Sequence, residues 1–141
     1  MKPKFIDTNI FLRYLTKDDP VKYENCLDLF KKAVSGKLEL ITSNMVIAEL
    51  IWTLLSFYKV SKAEVVDKII IIAEADYLFI PDKEIILEAL MVYSKNNIDY
   101  IDAYNAVFMR HHQTSELYSY DEDFDGLEGI VRIEPYKGRC F

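Results

Sequence analysis

The sequence predicts an α/β protein in which helices pack around a mainly parallel sheet. Short apolar stretches that resemble strands alternate along the chain with longer segments of helical character. The 141 residues suit one domain with one substantial core, and no repeat, low-complexity tract or Gly/Ser/Pro-rich linker marks a boundary. Hydrophobic residues make up 51% of the chain, which excludes a disordered segment.

In the first half of the chain, capping residues mark where helices begin and end. Asp19 and Pro20 supply an N-cap and a first-turn proline, and Gly36 ends that helix. Ser43 or Asn44 caps the next helix. The predicted elements are a strand at 4–6, helices at 9–15 and 20–34, a strand at 38–41 and a helix at 44–58.

The second half continues the alternation of strands and helices. Ser61 and Glu64 have the spacing of a capping box, and Pro81 and Asp82 start a later helix. The predicted elements are a helix at 61–75, a strand at 78–80, helices at 81–97 and 98–112, and strands at 117–120 and 130–133.

Glu49 is the only charged residue in the predicted helix 44–58. On a helical wheel it shares a narrow polar stripe with Thr53 and Ser56. One interpretation is a plain solvent face, but such a face on a helix this long usually carries several charges. The isolated acid beside Trp52 favours a half-buried pocket.

Aspartates occur at four further positions where the pattern needs explaining. Asp102 lies within the helix 98–112, and Asp99, three residues earlier, is explained as a cap or first-turn acid. Asp7 and Asp121 each follow a predicted strand, and Asp7 can also cap the next helix. Because open parallel sheets form sites at the carboxyl ends of their strands, we expect the sheet to bring Asp7 and Asp121 together.

The stretch DEDFDG imitates the start of a calcium-binding EF-hand loop. Such a loop needs a bidentate Glu at its twelfth position, which here is Arg132 when Asp121 is the first. The flanking segments read as strands, whereas an EF-hand needs helices. The calcium loop is excluded, and Asp125 and Glu128 are interpreted as turn and surface charges.

Four segments together resemble the PIN-domain family, and in particular its VapC-type toxins. FIDTNIFLRYLTKDDP resembles the opening strand, Asp-Thr-Asn and short helix with Arg, and VIAELIW resembles the helix with a single Glu. IDAYNAVFMR resembles the Asp-Ala helix, and SYDEDFDGLEGI the closing Ser/Thr with acids and Phe. The resemblance covers essentially the whole chain and implies a PIN-like, three-layer α/β/α sandwich with a mainly parallel central sheet.

The resemblance also implies a set of site residues. The catalytic and metal-binding acids are Asp7, Glu49, Asp102 and Asp121, with Asp123 as an auxiliary metal ligand, and the supporting polar residues are Thr8, Asn9 and Ser119. Carboxylates about 5 Å apart at an effective dielectric near 20 repel by roughly 3 kcal/mol a pair, so the group needs protons or a cation. Oxygen ligands without Cys or His favour Mg²⁺ or Mn²⁺ over zinc.

The implied function is a Mg²⁺- or Mn²⁺-dependent endoribonuclease that hydrolyses RNA and serves as the toxin of a type II toxin–antitoxin system. RNA is then the substrate, and a small antitoxin and a second copy of the chain are the protein partners. Phe11, Leu12 and Tyr14 would serve such contacts or belong to the core. The net charge of −6 excludes coating of nucleic acid by a basic surface, but not local phosphate contacts. Basic candidates for such contacts are Arg13, Lys17, Lys31, Lys32, Lys37 and Arg110.

Other functions remain as alternatives. A PIN nuclease of RNA processing or DNA repair would need no antitoxin, and a non-catalytic domain would keep the metal for structure alone. A phosphatase of the haloacid-dehalogenase type needs Asp-x-Asp after the first strand, where this chain has Asn9. His111 and His112 are interpreted as surface residues that complement a helix dipole rather than as zinc ligands.

The chain is expected to be cytoplasmic. The longest aliphatic run, 69–73, is too short to cross a membrane, and the first nine residues contain no apolar signal-peptide core. Cys26 and Cys140 favour a reduced protein, and no disulfide is inferred from them.

Overall fold

The computed structural model describes residues 2–135. Within them, the helices are α1 (Thr8–Thr16), α2 (Pro20–Val34), α3 (Asn44–Ser56), α4 (Lys62–Glu74), α5 (Lys83–Lys95) and α6 (Tyr100–His111). The strands are β1 (Lys4–Phe5), β2 (Leu40–Ile41), β3 (Leu78–Phe79), β4 (Glu116–Tyr118) and β5 (Val131–Ile133), and a 3₁₀ helix spans Glu122–Gly126. The predicted α/β class is confirmed, and Cys140 lies outside the described residues.

The chain divides into two compact units, an N-terminal unit of residues 1–83 and a C-terminal unit of residues 84–141. In the N-terminal unit, β1, β2 and β3 form a parallel sheet in that order. Parallel neighbours need crossover connections. Helices α1 and α2 connect β1 to β2, and α3 and α4 connect β2 to β3, as the alternating pattern predicted.

The helices of the N-terminal unit begin at side-chain caps that the sequence identifies. Asp19, Ser43 and Ser61 each accept a hydrogen bond from the main-chain N–H three residues later, at 3.1, 3.2 and 3.3 Å. Each bond satisfies a donor that the first helical turn leaves unpaired. Ser43, rather than Asn44, is the N-cap of α3.

Two apolar residues of α1, Phe11 and Leu12, belong to the core. Phe11 is 1% exposed and stacks on Phe30, with ring centroids 6.0 Å apart. Leu12 is buried as well, and Tyr14 meets Phe30 edge-on at 4.9 Å. Core packing, and not contact with a partner protein, therefore accounts for Phe11 and Leu12.

Thr42 joins the carboxyl ends of all three strands of the N-terminal sheet. Its hydroxyl donates to the Ile6 carbonyl at 2.8 Å, and its main-chain N–H donates to the Phe79 carbonyl at 3.1 Å. The side chain is 1% exposed. Asp7 follows β1 and α3 follows β2 at this end of the sheet. Thr42 therefore helps to fix the main chain from which Asp7 and the side chains of α3 project.

In the C-terminal unit, β4 pairs with β5 in parallel, with Glu116 opposite Val131 and Tyr118 opposite Ile133. The 3₁₀ helix lies in the connection between these strands, and Phe124 anchors it because its side chain is buried. The expectation that one sheet carries both Asp7 and Asp121 is wrong. Strand β1 belongs to the three-stranded sheet, whereas β4 takes its ladder partner from β5.

No helix within residues 2–135 combines the length and the apolar character that a membrane span requires.

Replacing Thr42 by Val keeps the shape of the side chain but removes the hydroxyl donor to the buried Ile6 carbonyl. We expect a loss of about 1–3 kcal/mol in the free energy of unfolding, because a buried acceptor is left without that partner. Urea unfolding measures the change. Thr53→Val on the surface of α3 is the matched control and should cost no more than about 0.5 kcal/mol. Equal stability of the Thr42 and Thr53 variants would contradict the role of Thr42.

Candidate metal centre

Three aspartates of the C-terminal unit form an acidic cluster. One carboxylate oxygen from each of Asp102, Asp121 and Asp123 lies within 4.8 Å of the others. Asp102 is half-buried in the first turn of α6, and the other two are exposed at the start of the 3₁₀ helix. Within residues 2–135, no other group of three or more Asp, Glu, His and Cys side chains has this spacing. The cluster could hold a metal ion.

Local hydrogen bonds hold Asp121 and Asp123 in the cluster. Asp121 is the N-cap of the 3₁₀ helix, and its Oδ1 accepts the Asp123 main-chain N–H at 2.9 Å. The Ser119 hydroxyl oxygen accepts the Asp121 main-chain N–H at 3.0 Å. The predicted supporting residue Ser119 thus contacts the main chain of Asp121.

Arg132 clamps the segment that carries these acids. Its guanidinium makes two hydrogen bonds to the carboxylate of Asp125, at 2.8 and 3.2 Å, and Nη1 donates to the Ser119 carbonyl at 3.1 Å and to Glu134 at 2.9 Å. The Arg132 side chain is only 12% exposed. The hydrogen bonds from Arg132 hold the pKa of Asp125 below its usual range. Asp125 therefore serves as the ion-pair partner of Arg132.

The cluster places electrostatic strain on Asp102. Burial raises the pKa of its carboxyl, and the negative charges of Asp121, Asp99 and Asp123 raise it further. Asp99 is the N-cap residue of α6, as expected, although its side chain makes no capping hydrogen bond. A cation bound at the cluster would relieve this repulsion.

The remaining predicted acids lie in the N-terminal unit, where Thr8 connects them. The Asp7 carboxylate accepts the Thr8 main-chain N–H at 2.8 Å and caps α1. The Thr8 hydroxyl donates a short hydrogen bond to Oε1 of Glu49, and the Thr8 residue is 4% exposed. The predicted supporting residue Thr8 thus joins the end of β1 to α3.

Glu49 itself is exposed, and the expectation of a half-buried position is wrong. Two large apolar neighbours on α3, Met45 and Trp52, are 79% and 66% exposed. The stripe that carries Glu49 therefore faces outward from the helix within the N-terminal unit. Helical periodicity identified the polar stripe, but it could not predict whether the apolar residues beside it, such as Met45 and Trp52, would be buried.

The PIN domain family model matches residues 4–130. The chain belongs to the PIN domain family. The matched residues include both the Asp7–Thr8–Glu49 group and the Asp102–Asp121–Asp123 cluster, and the resemblance predicted from the sequence is confirmed at the family level. That the two groups serve one PIN active site stays a prediction, as does the single-domain organisation.

Among solved structures, this PIN-domain protein is similar to the crystal structure of VapC20 from Mycobacterium tuberculosis, described as a sarcin-ricin loop cleaving toxin. The two share 21% sequence identity with a TM-score of 0.40, and the similarity covers 93% of this chain and 98% of that chain. No curated protein gives a significant sequence match.

Replacing Asp102 by Asn removes one charge from the cluster. The pKa of Asp102 is higher in the folded protein than in the unfolded chain, so its ionisation destabilises the fold as pH rises through that interval. We expect the metal-free Asp102→Asn protein to melt about 2–5 °C higher than the parent at pH 7.5, with the gain shrinking as pH falls towards 4.

Thermal melts in EDTA at both pH values measure the effect of Asp102→Asn. Asp67→Asn on the exposed face of α4 is the control and should shift neither melt. Added Mg²⁺ should stabilise the parent more than the Asp102 variant, because binding to the folded state raises its stability. A destabilised Asp102→Asn protein at pH 7.5 in EDTA would contradict the electrostatic account.

Replacing Arg132 by Gln releases the clamp on Asp125 and on the Ser119 carbonyl. We expect a lower melting temperature and a Mn²⁺ affinity about tenfold weaker, because supporting residues around a metal site tune its affinity by that order. Mn²⁺ titration followed by electron paramagnetic resonance measures the affinity. Arg110→Gln removes another ion-paired arginine, at 62% exposure, and should leave Mn²⁺ binding unchanged.

Proposed function

We propose that this PIN-domain protein is a metal-dependent endoribonuclease that hydrolyses RNA phosphodiester bonds and acts as the toxin of a type II, VapBC-like toxin–antitoxin system. The observation that carries the proposal is the Asp102–Asp121–Asp123 cluster in a chain that belongs to the PIN domain family. The proposed catalytic acids are Asp7, Glu49, Asp102 and Asp121, with Asp123 as an auxiliary ligand.

The donor set of the cluster fits Mg²⁺ or Mn²⁺. Its three ligand atoms are carboxylate oxygens, with neither a thiolate nor an imidazole among them, and hard oxygen donors select these ions. The raised pKa of Asp102 supports the same fit. Burial and the neighbouring negative charges raise it, and a cation would offset the part that comes from those charges. When bound, the ion supplies a water of lowered pKa and charge stabilisation on the phosphodiester oxygens.

The hydrogen bonds of the chain prepare these acids for that role. The Thr8 hydroxyl orients Glu49 by donating a hydrogen bond to its carboxylate, and the Asp123 main-chain N–H orients Asp121 in the same way. Each carboxylate keeps lone pairs for a further partner, since an ionised carboxylate has about four acceptor sites. In the proposed reaction, one carboxylate accepts a proton from the attacking water, which is the work of a general base.

Exposed apolar side chains on α3 supply surface for contact with a protein partner. Met45, Trp52 and Phe57, on α3 and at its C-terminal end, are 79%, 66% and 70% exposed. Large apolar side chains that are exposed on a helix and at its end offer a partner chain surface to cover. It supports the proposal that a small antitoxin and a second copy of the protein are partners.

Purified protein incubated with RNA should cleave it in Mg²⁺ and stop in EDTA. Asp7→Asn should slow cleavage by about 100-fold, because it removes a ligand that the chemistry needs. Gel analysis of a labelled RNA measures the rate. Glu128→Gln changes an exposed acid near the cluster segment and should cleave at the parental rate. Cleavage that survives both EDTA and Asp7→Asn would refute the assignment.

Expression in cells separates the toxin from the alternatives. The parent protein should arrest growth, Asp7→Asn should not, and co-expression of the adjacent small gene should relieve the arrest. RNA cleavage without growth arrest would indicate a PIN nuclease of RNA processing or DNA repair. Metal-dependent melting without any turnover would indicate a non-catalytic metal-binding domain.

A further inference from the structure

A cavity of about 330 Å³ lies between α1 and α2 in the N-terminal unit. Its lining consists of Asn9, Ile10 and Arg13 from α1, and Lys22, Asn25 and Cys26 from α2. Residues spaced by three or four positions lie on one face of a helix, so each helix presents a single face to the cavity.

The lining of this cavity is mostly apolar by area, and its polar side chains are of the kind that bind an anion. Arg13 and Lys22 supply positive charge, Asn9 and Asn25 supply amide donors, and none of the lining residues is acidic. Burial raises the pKa of the Cys26 thiol, so this side chain adds no negative charge at neutral pH. The chain as a whole has a net charge of −6, whereas the residues that line this cavity carry positive charge and no negative charge.

Two acids in the loop between α1 and α2 balance these cations only in part. Asp18 contacts only one of the three guanidinium nitrogens of Arg13, Nη1, at 3.1 Å. The same carboxylate also accepts a hydrogen bond from the Tyr58 hydroxyl at 2.8 Å. Asp19 lies 4.0 Å from the ammonium of Lys22, whose side chain is 60% exposed. Both cations therefore keep donor capacity for a phosphate.

The cavity begins beside the proposed acids of the N-terminal unit. Asn9 comes two residues after Asp7, and it directly follows Thr8, which bonds Glu49. Arg13 lies one turn further along α1, about 6 Å from Asn9 along the helix axis. A polynucleotide strand whose phosphodiester lies at Asp7 could thus place a neighbouring phosphate in the cavity.

We propose that this cavity binds the sugar–phosphate backbone of single-stranded RNA, with Arg13 and Lys22 contacting a phosphate near the cleaved bond. Arginine binds phosphate in a bidentate manner, and lysine adds a point charge. Asn9 and Asn25 donate to backbone oxygens, and Ile10 packs against the ribose. The inference rests on the proposed ribonuclease function and adds the position at which substrate is held.

RNA binding by the full chain tests the cavity in the Asp7→Asn background, where cleavage is suppressed. Fluorescence anisotropy with a labelled 12-nucleotide RNA in Mg²⁺ should show that Lys22→Gln and Arg13→Gln each weaken binding about three- to tenfold at low salt. Each variant should also reduce the slope of log affinity against log salt by about 0.7, the value for one phosphate contact on a single strand.

Lys68→Gln on α4 is the matched control, because it removes the same charge away from the cavity, and it should leave affinity and slope unchanged. Lys22 is exposed, so its variant should fold like the parent, and circular dichroism checks this. In the cleaving protein, Lys22→Gln should raise KM while kcat stays near the parental value, since the lost contact serves binding.

The outcomes separate this inference from the proposed function. Unchanged affinity and salt slope in both cation variants, with cleavage by the parent intact, would overturn the cavity alone. Cation-dependent RNA binding without cleavage would support the cavity and overturn the nuclease. Unchanged RNA binding together with loss of a co-purifying small protein would make the cavity a protein-docking site and overturn the inference. No RNA binding by any of these proteins would overturn both.

Discussion

The feature on which the functional architecture depends is the enforced proximity of like charges. Asp102, Asp121 and Asp123 have carboxylate oxygens within 4.8 Å of one another, and burial together with the neighbouring negative charges raises the pKa of Asp102. Such an arrangement lowers the stability of the metal-free fold, so it persists only because other interactions impose it. A cation bound there would offset the repulsion, and metal binding would then be coupled to stability.

The interactions that impose this proximity are hydrogen bonds around the acids. Asp121 is held by the main chain of its own 3₁₀ helix and by Ser119, and Arg132 fixes both Ser119 and Asp125. Arg132, the residue that spoils the likeness to a calcium loop, therefore stabilises the acidic segment. In the N-terminal unit, Thr8 has the corresponding role.

Charge is distributed unevenly over this chain of net charge −6. Negative charge is concentrated at Asp102, Asp121 and Asp123, where a bound metal ion would offset it. Arg13 and Lys22 instead place positive charge around one cavity. Arg13 is among the basic candidates that the sequence indicates, whereas Lys22 is not. Two further candidates have other contacts, because Lys32 pairs with Asp28 and Lys17 lies over the Tyr23 ring. Asp18 and Asp19 neutralise Arg13 and Lys22 only in part. Anion binding by the remaining charge would weaken as ionic strength rises, because salt screens exposed charges.

The sequence by itself determined the order of helices and strands, the caps at Asp19 and Ser61, and the PIN family, because propensity, capping and periodicity are local properties. The resemblance to the family grouped Asp102 with Asp121 and Asp123, and the tertiary structure places their carboxylate oxygens within 4.8 Å of one another. Only the tertiary structure decided that Glu49 is exposed and which basic side chains share a cavity. Contacts between residues distant in the chain depend on how helix faces pack, and on this the periodicity of one helix carries no information.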